Sequence, residues 1–104
     1  MTNKRPAQIR KRIDRIKAEL AAIDDMRPGS LTRQYKDPEN QIGSYYQLSY
    51  TREMKSRTEY IARDCLREVR RQIANYKRFK ALTAEWIALS IEHSRLRMKL
   101  ARRP

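Results

Sequence analysis

The sequence predicts an α+β protein. Its parts are a tyrosine-rich β-hairpin or small antiparallel sheet, a long C-terminal helix packed on it, and an N-terminal helix. The two helices are expected to form an antiparallel, coiled-coil-like stalk. Three observations predict this. Ile9, Ile13, Ile16, Leu20 and Ile23 recur every three or four residues, which marks one narrow apolar stripe on a helix. Residues 30–61 hold five of the six tyrosines and include a stretch of two-residue alternation, the period of a strand with one buried face. Residues 62–102 contain neither Pro nor Gly, so nothing there interrupts a helix.

The N-terminal helix is predicted over 6–26. Pro6 suits its first turn, where a missing N–H would lack an intrahelical partner in any case. Arg27-Pro28-Gly29 stops it. A stripe this narrow is marginal alone and needs a partner helix.

Residues 30–61 form the predicted hairpin region. Tyr46, Leu48 and Tyr50 alternate with Tyr45, Gln47 and Ser49. Arg57–Ile61 reads as a second strand, with Thr58 and Tyr60 on one face. Arg52–Ser56 is the expected connection, although it lacks an Asn-Gly turn signal. Leu31–Tyr35 can supply a third strand. Asp37–Asn40 reads as a loop, and Gly43 permits the chain to enter the next strand. Two strands alone are barely stable, so a helix must cover one face.

The long helix is predicted over 62–102. Projected at 100° per residue, Leu66, Val69, Ile73 and Tyr76 share one side. Phe79, Leu82, Trp86, Leu89, His93, Leu96 and Leu100 lie on another, about 150° away, as a second heptad seam. The first set should cover the hairpin and the second should pair with the N-terminal helix. A break near 77–80 is the other solution to the same mismatch. The stripes also permit pairing between chains, hence a homo-oligomer.

The 104 residues, read as a single domain, carry 25 Lys and Arg against 12 Asp and Glu, a net charge of +13. Residues 1–33 hold nine basic and four acidic residues, residues 34–62 four of each, and residues 63–104 twelve and four. The cations therefore sit on the predicted helices, which points to a polyanionic partner. On the long helix Arg63, Arg70 and Lys77 repeat every seven residues, with Arg67, Arg71, Arg78 and Lys80 beside them. Asp64 and Glu68 project to the opposite side, so the strip is expected to be free of internal neutralisation. Such a strip suits phosphate oxygens, because arginine offers them a planar fork. A second concentration, with Lys4, Arg5, Arg10, Lys11 and Arg12 opposite Arg95, Arg97, Lys99, Arg102 and Arg103, falls where the termini are expected to meet. Exposed tyrosines, Tyr45 and Tyr46 among them, are candidates for stacking on unpaired bases.

One cysteine, Cys65, and one histidine, His93, leave no disulfide framework, no metal site and no Ser-His-Asp arrangement. Cys65, Trp86 and His93 are read as packed helix residues. Nothing resembles a phosphate-binding Gly-rich loop or a catalytic carboxylate pair, so no enzyme and no cofactor is expected. No apolar run is long enough to span a bilayer, and there is no signal-peptide core. The expectation is a cytoplasmic protein without a membrane partner.

The segments Gly29-Ser30-Leu31, Tyr35, Gly43–Tyr50 and Ala74–Leu82 resemble a small prokaryotic domain of unknown function, over about residues 29–90. Members of that family are often encoded near transposases and other mobile elements. Many carry a Cys-rich segment between the positions of Tyr35 and Gly43, where this chain has Asp37-Pro38-Glu39-Asn40. A metal knuckle is thus not expected here. The resemblance implies nucleic-acid handling in a mobile-element setting. The resulting expectation is a non-enzymatic accessory protein of a mobile element, phage or defence system that binds the phosphate backbone of DNA or RNA. The competing expectation is a small subunit or inhibitor that docks on a larger protein or ribonucleoprotein through its helices.

Overall fold

A computed structural model describes residues 4–102; Met1–Asn3, Arg103 and Pro104 lie outside the described residues. In chain order the elements are helix α1 (Arg5–Ala21), strands β1 (Ser30–Asp37), β2 (Ile42–Arg52) and β3 (Lys55–Ile61), a 3-10 turn (Arg63–Cys65), and helix α2 (Leu66–Ala101). The α+β class is as the sequence predicts. The chain divides into two compact units. One is Asp24–Lys77; the other combines the chain up to Ile23 with the chain from Arg78 onward, so α2 contributes to both.

In the Asp24–Lys77 unit the three strands form an antiparallel sheet in the order β1-β2-β3. Leu31, Leu48 and Glu59 lie in one cross-strand row, and Arg33, Tyr46 and Ile61 in the next. Residues on these rows point to the face that α2 covers. Leu48, Ile61, Val69 and Ile73 form its core, with Leu31, Tyr46, Tyr50 and Leu66 packed around them. Leu48 is fully buried, worth roughly 1.5–3 kcal/mol against an exposed side chain. The stripe predicted on the first half of α2 is therefore the one that meets the sheet.

The connection between β2 and β3 is shorter than expected. Arg52 pairs with Lys55, and Glu53 and Met54 alone make the turn, at φ 52° and 63°. Two successive positive φ values match the twist of a two-residue hairpin. Neither residue type announces that conformation, so the strand begins at Lys55 and not at Arg57.

Residues 24–29 are tied to this unit by polar contacts. The Arg27 backbone N–H donates to the Gln72 carbonyl at 3.1 Å, and the Asn75 side chain donates to the Asp25 carbonyl at 2.9 Å. The Arg27 guanidinium makes two 2.9 Å bonds to Glu59, and the Tyr50 hydroxyl donates to the same carboxylate at 2.9 Å. Paired donors on one carboxylate make a strong, directional contact.

In the other unit α1 ends at Ala21, five residues before the predicted boundary. Asp24 and Asp25 follow it, and negative charge opposes the dipole at a helix C-terminus. Ile9, Ile13 and Ile16 are buried on α1, and Leu82 is buried on α2. Arg5 bonds Glu92 at 2.8 Å, Arg12 bonds Glu85 at 2.7 Å, and Arg78 lies 3.6 Å from Glu19. Each step of seven residues up α1 matches a step of seven down α2, so these pairs run in opposite senses along the two helices. In the neighbouring antiparallel register Arg12 would meet Glu92 and Glu19 would face Glu85. The observed pairing is one heptad away, and it gives every one of these carboxylates an arginine. The Lys17 ammonium sits over the Trp86 ring, 5.4 Å from its centre. Helix α2 continues through Lys77–Lys80 without a break.

These pairs set an acid limit. Hydrogen bonds from Arg27, Arg12 and Arg5 hold the Glu59, Glu85 and Glu92 carboxyls below their ordinary value of 4.5, against an opposing effect of burial. The folded state then binds these protons less readily than the unfolded chain. Their stabilisation is fully present above pH 4.5 and is lost as the pH falls through the lower folded values. Thermal melts should be level between pH 7 and 5 and fall steadily below about 4.5. In Arg27→Ala the fall should be shallower, because Glu59 no longer contributes its largest part.

Candidate nucleic-acid interface

Strand alternation and helix periodicity bring cations together at the open side of β1. Odd-numbered positions of β1 and even-numbered positions of β2 face α2, which places Arg33 beside Tyr46 and puts Ser44 on the same face. On α2 a spacing of seven residues is nearly two turns, so Arg70 and Lys77 repeat on one flank, with Arg63 in line on the preceding 3-10 turn.

Tyr46 is the hub. The Arg33 guanidinium donates to its hydroxyl at 2.9 Å and lies 5.5 Å from its ring centre. The Arg70 guanidinium is also 5.5 Å from the ring centre, close enough for cation–π attraction. Arg63 donates to the Ser44 hydroxyl at 3.4 Å. Hydrogen bonding from Arg33 holds the Tyr46 hydroxyl below its ordinary range, burial opposes this, and Arg70 adds to the lowering. Between sheet and helix lies a hollow of 320 Å³ lined by Gly29, Ser30, Leu31, Tyr46, Arg70, Ile73 and Lys77.

Among the described residues, no carboxylate comes within ion-pair distance of Arg33, Arg63, Arg70 or Lys77, whereas Arg5, Arg12, Arg27, Arg71 and Arg78 each have one. Like charges held together in this way leave an uncompensated field, which attracts an anion. Arginines over an aromatic ring are also partly ordered before any ligand arrives.

The remaining sequence candidates fall elsewhere. Arg71 donates to Glu68 at 2.7 Å, which corrects the expectation that Glu68 lies on the opposite side. Residues three apart are helix neighbours, and the pair partly neutralises the strip. Arg78 faces Glu19. Arg67 is exposed, as is Lys80, which lies with Arg78 in the other unit. Lys4, Arg5 and Lys11 also belong to that unit, and Arg5 is engaged by Glu92. Tyr45 and Tyr46 do not act together, because adjacent strand residues point to opposite faces. Tyr45 instead pairs with Tyr60, ring centres 6.2 Å apart. Cys65 is exposed, not packed as expected, because it sits in the 3-10 turn before α2.

Arg33 falls outside the strip read from the sequence. Its place depends on the β1–β2 register, which no local pattern reveals. The one available signal is the two-residue alternation of Leu31, Arg33 and Tyr35, which puts a cation on a face otherwise meant for the core.

Among the described residues, no group of three or more His, Cys, Asp or Glu is placed to hold a metal ion, and no helix is long and apolar enough to cross a membrane. Compared with protein-family models, curated proteins and solved structures, the chain matches none.

Proposed function

We propose that this chain is a non-enzymatic nucleic-acid-binding accessory protein that grips phosphate groups with Arg33, Arg63, Arg70 and Lys77. The observation that carries the reading is that Arg33 and Arg70 lie against Tyr46, Lys77 lines the same hollow and Arg63 bonds Ser44 on the same face, none of them with a described carboxylate in ion-pair range. The net charge of +13 supplies long-range attraction, and the guanidinium groups supply oriented donors for phosphate oxygens. The resemblance of residues 29–90 to a domain encoded beside mobile elements supports a role with a transposon, phage or defence system, and a cytoplasmic location goes with that reading.

The test is the salt dependence of binding to a labelled oligonucleotide, read by fluorescence anisotropy. About four phosphate contacts predict a loss of roughly 100-fold in affinity between 50 and 200 mM salt. A flat response rejects the mechanism.

A second reading has its own observation. On the second half of α2, Ile87, Ile91 and Met98 are 62%, 48% and 56% exposed, and they fall on one side of the helix. An exposed apolar stripe is a docking surface for a partner helix. A flat salt response together with loss of a co-purifying protein on Ile91→Glu favours this reading, in which the chain is a subunit or inhibitor of a larger protein or ribonucleoprotein.

A further inference from the structure

The face of the sheet turned away from α2 differs from the rest of this chain. Charged residues make up 36% of the sequence, yet the outward positions in the paired rows from Ser30 to Tyr60 are Ser, Thr, Gln and Tyr. The one formal charge that joins them is Lys36. A solvated face in so charged a protein would normally carry several Lys or Glu residues. Hydroxyls, amides and tyrosine rings are instead the groups that recognition surfaces use, because they offer contact area and hydrogen bonds at low entropic cost.

The face also has a shaped feature. A hollow of 440 Å³ is lined on this face by Lys36, Gly43, Tyr45 and Tyr60, and also by Ser44, a position of the α2-facing side. The Tyr45 and Tyr60 rings are tilted by 37° with centres 6.2 Å apart. A base inserted between two rings needs about 7–8 Å, two contact distances, so these rings are too close to sandwich one. They form an angled shelf, and Tyr60, 69% exposed, presents its ring to solvent. Gly43 keeps the hollow open: its φ is +74°, and a Cβ there would lie 3.2 Å from the Lys36 Cβ. The Lys36 ammonium can reach a phosphate beside a stacked base, while Gln34 and Gln47 carry amides suited to base edges.

We infer that this shelf binds one unpaired nucleobase, so that the protein prefers single-stranded over duplex nucleic acid. The inference rests on the nucleic-acid reading above but uses residues on the opposite sheet face from Tyr46. A duplex keeps its bases stacked inside and cannot offer one to Tyr60, whereas a single strand can stack a base there whatever its sequence.

The test measures binding of a labelled oligothymidylate, an abasic strand of equal length and charge, and a duplex of equal length. Expected results are a Tyr60→Ala loss of roughly 10-fold for oligothymidylate, no change for the abasic strand or the duplex, and full affinity in Tyr60→Phe. Tyr60 is exposed, so the variant should keep its melting temperature. Wild-type binding equal for abasic and thymidine strands overturns the inference, as does an unaltered Tyr60→Ala. If Arg70→Glu weakens all three probes while Tyr60→Ala changes none, the shelf fails and the phosphate site stands. If wild-type protein binds no probe, both fail.

Discussion

Gly29→Ala is expected to cost about 3 kcal/mol or more and to lower the melting temperature by on the order of 15 °C. Gly29 has φ +127°, and a Cβ there would lie 2.7 Å from the Ser49 carbonyl oxygen and 2.9 Å from Leu48 Cδ1. Strain at such a backbone angle costs roughly 1–3 kcal/mol by itself. The overlap adds to it, because the obstructing carbonyl belongs to a backbone fixed by the pairing of Ser30 with Ser49. Relief would require β1 to move off β2 or Leu48 to leave the core. A domain stabilised by only about 5–15 kcal/mol is sensitive to such a loss.

Gly43→Ala provides the contrast. Its φ is +74°, and the nearest atom a Cβ would meet is the Lys36 Cβ at 3.2 Å, a contact relieved by a shift of a few tenths of an ångström and not by moving a paired backbone carbonyl. Its cost should be about 1 kcal/mol, that of a residue in the left-handed region. Circular-dichroism melts of both variants test the comparison. A Gly29→Ala melt within a few degrees of wild type would mean that β1 shifts easily.

The same region shows where a sequence is readable. The two faces of α2 follow from angle alone: Leu66, Val69 and Ile73 share a side at 3.6 residues per turn, and Val69 and Ile73 are buried where Leu66 is half-buried. Similarly, Tyr46, Leu48 and Tyr50 reveal the inward face of β2 through their alternation. Features that depend on pairing were hidden. The Glu53-Met54 turn has no composition signal, since it is imposed by the register of β2 against β3 and not by local preference. Arg33 reaches Tyr46 only because β1 pairs where it does, so the strand the sequence marked most faintly completes the candidate site. The Glu68–Arg71 pair was legible in principle. The two residues are about 60° apart on the helical projection, which outweighs the assignment of Glu68 to a far face. The outward tyrosine shelf joins Tyr45 to a residue fifteen positions later, across a turn of unknown length, and only the cross-strand register could reveal it.

The two rows of cations on α2 give the sharpest functional contrast. Arg70→Glu with Lys77→Glu should reduce oligonucleotide affinity on the order of 100-fold near 150 mM salt, and Arg71→Glu with Arg78→Glu less than about 10-fold. Both double variants change the net charge by the same amount, so a diffuse attraction to a cationic protein predicts equal losses. A localised site does not. Arg70 and Lys77 line the hollow beside Tyr46 with no carboxylate in ion-pair range, so they can turn their donors to phosphate without first giving up a partner. Arg71 and Arg78 must release Glu68 and Glu19, and each exchange returns only the difference between two anions of similar strength. Reversal at Arg70 also replaces the cation against the Tyr46 ring, whose hydroxyl Arg33 contacts, with a carboxylate that repels phosphate. The measurement is an anisotropy titration at three salt concentrations, because the loss of two true contacts should also lower the slope of log affinity against log salt by about two. Equal losses with unchanged slopes would dissolve the site into general charge. A larger loss for Arg71 and Arg78 would move it to the carboxylate-paired row.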